Sequence, residues 1–147
     1  MAGGRIPRLT EACGFLVAGA RRAGYSSPQL ATIAGVRQVL LFDAEGLGSY
    51  EPTTGAELWF HEWKQDPPVN VAQPLVFDDG RVFISSGYGH GSAMLKVTLT
   101  DGKWDATEEL WTSNRLKSKF SNPVAHNGFK VSGIGFQPVH FAGGACE

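Results

Sequence analysis

Two stretches of the sequence end on the same tripeptide, and together they decide the fold. The first is Pro52-Thr53-Thr54-Gly55-Ala56-Glu57-Leu58-Trp59, and the second ends on Glu109-Leu110-Trp111. The proline presets φ and the glycine tolerates a positive φ, so the first stretch predicts a turn that leads into a strand. Because the same strand ending occurs twice, the sequence indicates an internal structural repeat.

Prolines mark the start of each repeat unit. Pro28, Pro74 and Pro123 follow small or polar residues, precede an extended apolar stretch, and are 46 and 49 residues apart. A glycine comes 5 to 7 residues after each proline, at Gly35, Gly80 and Gly128. We call the few residues before each proline the leads. A unit in the high forties with about four short strands is the size of a β-propeller blade.

The segments between these markers have the residue patterns of strands and tight turns. The apolar pattern predicts strands over Val36–Phe42, 81–85 and 93–100. Hairpin turns are predicted at three dipeptides, Asp79-Gly80, Asp101-Gly102 and Asn127-Gly128. The chain also has 19 glycines and 8 prolines in 147 residues, a large share for a helical protein. The expected fold is therefore all-β.

In more detail, the repeat predicts antiparallel four-stranded blades of an incomplete propeller, with about two blades and the start of a third. Residues 24–131 hold the repeats, residues 1–23 form a segment that fits no blade, and residues 132–147 form an irregular tail. The third unit begins, but no further Thr-Gly turn and tryptophan follow it. The sequence thus suggests the hypothesis that both ends are truncated or out-of-frame readings of a longer gene.

Composition excludes several classes of function. The formal charge of −1 does not indicate the excess of basic residues that is typical of proteins that bind nucleic acid. No apolar run reaches the ~18–20 residues of a membrane span. Cys13 and Cys146 are too few and too far apart to indicate a disulfide framework or a zinc knuckle. The histidines lack any metal-ligand spacing, so we predict no metal site, and no catalytic residue can be named.

The turn before the first tripeptide resembles a known repeat. Residues 52–59 resemble the Asp-x-x-Thr-Gly-x-x-x-Trp signature of the pyrroloquinoline-quinone-like (quinoprotein-type) β-propeller repeat, although Tyr50-Glu51 replaces its usual apolar-Asp pair. The resemblance implies that Gly55, Trp59 and Trp111 are blade-signature residues, with the tryptophans filling the wedge between blades. It also implies an exported or periplasmic bacterial protein.

The leads supply the candidate binding residues. In a propeller, the loops that enter the innermost strands cluster at one mouth of the central channel. If the leads lie there, they bring hydrogen-bonding and cationic groups together at Tyr25, Ser26, Asn70, Gln73, Lys119, Ser121 and Asn122. Such groups suit a polar ligand or a partner loop. The alternative is that they cap strand ends and bind water.

Three functions are compatible with these features. The first is a binding or scaffolding module of a larger protein, without catalysis of its own, whose partners are other blades, another protein or a second copy joined through exposed strand edges. The second is a fragment of a quinone-dependent alcohol or sugar dehydrogenase, for which the resemblance implies pyrroloquinoline quinone and calcium. The third is a β-sandwich that binds carbohydrate through exposed Trp63, Tyr88 and Trp104. Burial of the aromatic side chains distinguishes the third from the other two.

Overall fold

The structure, a computed structural model, describes residues 21–114, 116–126 and 129–131. All regular secondary structure in these residues is β-strand, which confirms the predicted all-β class. Within these ranges no helix is long and apolar enough to cross a membrane. The predicted tail at 132–147, most of the segment at 1–23, both cysteines and the Asn127-Gly128 turn lie outside the described residues.

Two four-stranded antiparallel sheets and one two-stranded ladder make up the fold, each with its strands in chain order. The first sheet contains β1 (Gln29–Ile33), β2 (Val36–Phe42), β3 (Gly46–Tyr50) and β4 (Glu57–Glu62). The second sheet contains β5 (Leu75–Val76), β6 (Arg81–Ser86), β7 (Gly91–Thr100) and β8 (Lys103–Ser113). The ladder pairs β9 (Val124–His126) with β10 (Phe129–Val131). No sheet closes on itself among these strands.

The predicted turns adopt the backbone conformations that their residues allow. Gly55 has a φ of +72° and donates its N–H to the Glu51 carbonyl at 2.9 Å, which closes the turn between β3 and β4. Asp101 and Gly102, with φ of +51° and +75°, form the hairpin between β7 and β8. Successive positive φ values are typical of the tight hairpin turn that the Asp-Gly pair predicts.

The two Glu-Leu-Trp tripeptides occupy the same place in their sheets. Trp59 pairs with Ser49, and Trp111 pairs with Met94. In both sheets the register shifts at this point, because Glu57 and Glu109 pair with the next residue of the neighbouring strand and the leucine between is the extra residue of a β-bulge. The sequence repeat is therefore a repeat of structure.

Equivalent faces of the sheets point in the same direction instead of toward each other. We call the side that carries the tryptophan the Trp face, formed by Leu40 and Trp59 in the first sheet and by Phe83 and Trp111 in the second. The Trp face of the first sheet packs against the opposite face of the second, where Val82, Ile84, Leu95 and Val97 lie. The Trp face of the second sheet forms a separate apolar cluster with Met94 and Leu116.

A buried amide holds the first tryptophan in place. Gln38 is fully buried, and its Oε1 accepts hydrogen bonds from Trp59 Nε1 at 2.8 Å and from the Ser49 hydroxyl. Its Nε2 donates to the Val36 carbonyl at 3.2 Å. Because an unpaired polar group in such a site is destabilising, this network fixes the orientation of the indole between the sheets.

The outer strands of the two sheets are also joined. His61 of β4 lies on the Trp face, and its Nδ1 lies 2.9 Å from the Ala106 carbonyl oxygen of β8. A carbonyl oxygen only accepts, so Nδ1 carries the proton and donates it. The other ring nitrogen lies 3.2 Å from Glu109 Oε1, within the second Glu-Leu-Trp tripeptide. The Nδ1 hydrogen bond therefore joins the outer strands of the two sheets.

Candidate functional site

Successive leads are joined through the residue directly before each proline. Gln73 Nε2 donates to the Ser27 carbonyl at 3.4 Å. On its other side, the Gln73 backbone N–H donates to Asn122 Oδ1 at 2.9 Å, and Asn122 Nδ2 donates to Gln73 Oε1 at 3.0 Å. The three repeat-equivalent positions therefore form one continuous hydrogen-bonded row that links the three leads. We call the surface formed by the leads the lead surface.

An open pocket of about 280 Å³ lies on the lead surface. Three of its lining residues, Tyr25, Val71 and Phe120, each stand three positions before a proline, so the repeat brings one side chain from every lead into the same pocket. Val69 of the second lead and Tyr88 complete the lining. The walls are thus mainly aromatic and aliphatic.

Lys119 supplies the positive charge at this pocket. Its Nζ lies 4.4 Å from the ring centroid of Tyr88 and 5.4 Å from that of Phe120. A cation over an aromatic face is attracted by the ring quadrupole. Gly87 allows this approach, because a Cβ at position 87 would lie 2.8 Å from Lys119 Cγ and 3.1 Å from its Cα.

Tyr88 reaches the pocket because one turn is longer in the second repeat. The turn between β2 and β3 closes tightly, with Asp43 N–H donating to the Gly46 carbonyl at 2.9 Å. The corresponding turn between β6 and β7 carries extra residues, among them Tyr88 with a φ of +52°. A positive φ is costly for a tyrosine, and such strain concentrates at functional positions.

His90 anchors the other side of the same turn. Its ring meets Trp63 edge-on, with the ring centroids 4.5 Å apart. Burial lowers the pKa of His90, so the neutral ring is the favoured form. The turn that presents Tyr88 is therefore held by an uncharged aromatic contact with the core.

The predicted site residues divide into surface and interior groups. Tyr25 and Asn122 are exposed, and Gln73, Lys119 and Ser121 are half-buried on the lead surface. Ser26 is buried, with Oγ 3.5 Å from the Ala72 carbonyl oxygen. Together these residues place part of each lead on one face of the molecule.

Asn70 lies in the interior. It is fully buried, and its Nδ2 donates to the Asp43 carbonyl at 2.7 Å. Its Oδ1 accepts from the Ser86 hydroxyl at 2.6 Å and from Gln65 Nε2 at 3.0 Å. Asn70 therefore ties the second lead to the ends of β2 and β6 and is not accessible to a ligand.

The candidates that the sequence offers do not include the apolar members of the pocket. That set contains hydrogen-bonding and charged residues of the leads, and Phe120, Val69 and Val71 are not among them. The signal was nevertheless present, since Tyr25, Val71 and Phe120 have the same distance to their prolines. Tyr88 could not be found in this way, because it belongs to the extra residues of a turn that is shorter in the first repeat.

The three aromatic residues of the carbohydrate alternative have different surroundings. Trp63 is buried, and its Nε1 donates to the Ser86 hydroxyl at 2.9 Å. Trp104 is half-buried against the core, whereas Tyr88 is exposed. A sugar platform needs an accessible ring, and of these three side chains Tyr88 is the exposed one.

A polar cluster covers the face of the first sheet that lies opposite its Trp face. Arg21 lies 3.9 Å above the Phe60 ring, forms a 3.0 Å ion pair with Asp43, and contacts Glu57 and the Tyr50 hydroxyl. Burial works to lower the pKa of Arg21, but the contacts with Glu57 and Asp43 together reverse this and raise it. The guanidinium of Arg21 is therefore bonded within this cluster, which covers part of this face of the sheet.

No group of three or more His, Cys, Asp or Glu side chains is placed to hold a metal ion among the residues that the structure describes. The quinone and calcium of the dehydrogenase alternative stay a prediction. Comparisons with protein-family models, with curated proteins and with solved structures find no match. The resemblance to the quinoprotein-type repeat likewise stays a prediction.

Proposed function

We propose that this chain is a binding or scaffolding module built from propeller-type blades, and that it holds its ligand or partner on the lead surface. The order of the strands supports the blade part of this proposal. Each four-stranded sheet is a simple antiparallel meander that starts just after a lead, as a blade does. The β9–β10 ladder starts after the third lead in the same way.

The packing of the sheets supports propeller-type stacking over a two-layer sandwich. In a sandwich, two sheets turn their inner faces toward each other and leave their outer faces to solvent. Here the Trp face of the first sheet meets the opposite face of the second, and the Trp face of the second carries its own apolar cluster. A head-to-tail contact of this kind can be repeated, and repetition by rotation generates a ring.

One observation carries the binding function. Tyr25, Val71 and Phe120, at the same position in three leads, line a single pocket. Residues that the repeat brings to one end of stacked sheets would lie at the mouth of a propeller channel. Binding residues are often on exposed loops that a rigid scaffold of strands holds in place. The function we infer is recognition, with the lead surface as the contact region.

The test is to map a small neutral aromatic probe onto the whole chain. The ¹⁵N-labelled protein is titrated with p-cresol, and changes in backbone amide shifts are followed by NMR. We expect the largest changes at Tyr25, Val71, Tyr88 and Phe120, because these residues line the pocket. Changes scattered over the strands, or concentrated at the Arg21 cluster, would contradict the proposed site.

A further inference from the structure

The lead surface exposes three aromatic side chains. Tyr25 is 71% exposed, Phe120 is 67% exposed and Tyr88 is 46% exposed. Contiguous exposed apolar patches mark sites where another molecule binds. Since all three rings line one pocket, they form such a patch.

The size of the pocket favours a side chain over an enclosed small molecule. Pockets that bury a drug-sized ligand have volumes of about 300–1,000 Å³. The pocket on the lead surface has a volume of about 280 Å³ and is open to solvent. A pocket of this kind suits one large apolar side chain of a partner, since the anchor residues of interfaces fill pockets on the facing protein.

The positive charge of Lys119 indicates which groups of the partner should flank its apolar side chain. Among the residues that the structure describes, the pocket lining contains no acidic side chain. Lys119 stacks on Tyr88 and Phe120, and no carboxylate of the described residues forms an ion pair with it. A lysine ammonium has three donors, so the ring contacts leave it able to bind a carboxylate. Charge complementarity therefore favours an acidic group beside the apolar anchor.

We infer that the lead surface binds a segment of a partner protein in which a large apolar side chain is flanked by Asp or Glu residues. This inference rests on the proposed function and adds the chemistry of the partner. The apolar side chain enters the pocket between Tyr25, Tyr88 and Phe120. The flanking carboxylate binds Lys119, and the amides of Gln73 and Asn122 lie on the same surface to meet the peptide backbone.

The test uses three short peptides and the complete ¹⁵N-labelled chain. The probe is acetyl-Glu-Asp-Phe-Asp-Glu-amide. One matched peptide has alanine in place of phenylalanine, and the other has lysine at each acidic position. We expect the probe to shift the amides of Tyr25, Val71, Tyr88 and Phe120. Loss of the anchor should weaken binding by more than about tenfold, as for a hot-spot residue.

A variant pair tests the role of the charge. Lys119→Met keeps an unbranched side chain but removes the ammonium, and should weaken binding of the acidic probe by about threefold to fivefold, the range of a partly exposed ion pair. Lys117→Met is the matched control, because Lys117 is exposed in the same segment. It should leave the affinity within about twofold, as expected for screened charges away from the site.

The outcomes separate this inference from the proposed function. Equal binding of the acidic and basic peptides at the pocket would overturn the inference that the partner segment is acidic. An unchanged affinity of Lys119→Met for the acidic probe would overturn it as well. Shifts caused by p-cresol but by none of the peptides would also overturn it, while the proposed site would stand. Failure of p-cresol to map to the pocket would contradict the proposed function itself.

Discussion

The side-chain amide of Gln73 pairs with that of Asn122 across two repeats, with Asn122 Nδ2 to Gln73 Oε1 at 3.0 Å. Both residues directly precede a proline, and the Gln73 backbone N–H adds a second bond to Asn122 at 2.9 Å. A residue before proline is restricted to extended conformations, so both side chains start from a preset backbone. The pair therefore connects the second and third leads at equivalent positions.

This pair should contribute measurable coupling to stability. Gln73→Ala and Asn122→Ala are each expected to lower the free energy of unfolding by about 0.5–1.5 kcal/mol, the net value of a typical hydrogen bond. The double variant should cost less than the sum, with a coupling energy of about 0.5–1 kcal/mol. Urea denaturation of the four proteins gives the cycle. Combining Gln73→Ala with Lys117→Ala supplies the control, in which the costs should add.

The two equivalent tryptophans should differ in their contribution to stability. Trp59 is buried between the sheets and bonded to Gln38, whereas Trp111 is half-buried against Phe83, with ring centroids 5.8 Å apart. Trp59→Ala should cost about 3–5 kcal/mol, the range for a buried aromatic. Trp111→Ala should cost roughly half as much because less apolar area is lost. Equal costs in chemical denaturation would be inconsistent with the stacking described above.

Two glycines of the turn between β6 and β7 provide a matched pair. Gly87→Ala would place a Cβ within 2.8 Å of Lys119, so it should displace the third lead and destabilise the protein by about 1–3 kcal/mol through overpacking. Gly89 has a φ of +85° and open space around it. Gly89→Ala should cost about 1–2 kcal/mol through backbone strain alone.

NMR distinguishes these two effects. Gly87→Ala should shift the amide signals of Lys119 and Phe120, and Gly89→Ala should leave both in place. If Gly87→Ala leaves the third lead unmoved, the close contact between Gly87 and Lys119 does not exist in solution.

The turn between β3 and β4 should give the protein part of its acid sensitivity. Hydrogen bonds from the Thr54 hydroxyl, at 2.7 Å, and from the N–H groups of Thr54 and Thr53 hold the pKa of Glu51 at about 2. A folded-state pKa below that of the unfolded chain means that the stabilisation is present above the ordinary pKa of 4.5 and is lost as the pH falls toward 2.

Glu51→Gln tests this effect. In urea denaturation from pH 6 to pH 2.5, the variant should lose less stability than the natural chain, while Glu62→Gln, at an exposed position of β4, is the control. An identical pH slope for Glu51→Gln and the natural chain would show that the carboxylate is not bonded in this turn.

Local features of the fold can be predicted from the sequence. The bounds predicted for the strand Val36–Phe42 agree with β2, and the turns at Gly55 and Asp101-Gly102 have the conformations that their residues favour. Such features depend on the φ preferences of a few adjacent residues. The Glu-Leu-Trp repeat also coincides with the bulge in both sheets, although nothing in the tripeptide indicates a bulge.

The surroundings of individual side chains are harder to predict from the sequence. Asn70 and Gln73 belong to the same lead, yet Asn70 is buried among Asp43, Ser86 and Gln65, while Gln73 is on the surface. That difference depends on neighbours supplied by distant strands. Tyr88 reaches the pocket through extra turn residues that break the repeat, so no periodicity could have indicated it.

The most direct test of the whole account is a nuclear Overhauser spectrum of the complete chain that asks whether the three leads meet. It should contain cross-peaks between the side-chain amide protons of Gln73 and Asn122, and between the Gln73 side-chain amide and Ser27. Cross-peaks from the Lys119 side chain to the Tyr88 ring should accompany them, since Nζ lies 4.4 Å from the ring centroid. Their absence, with the Trp59–Gln38 cross-peak still present, would show folded sheets without a common lead surface and would contradict the account.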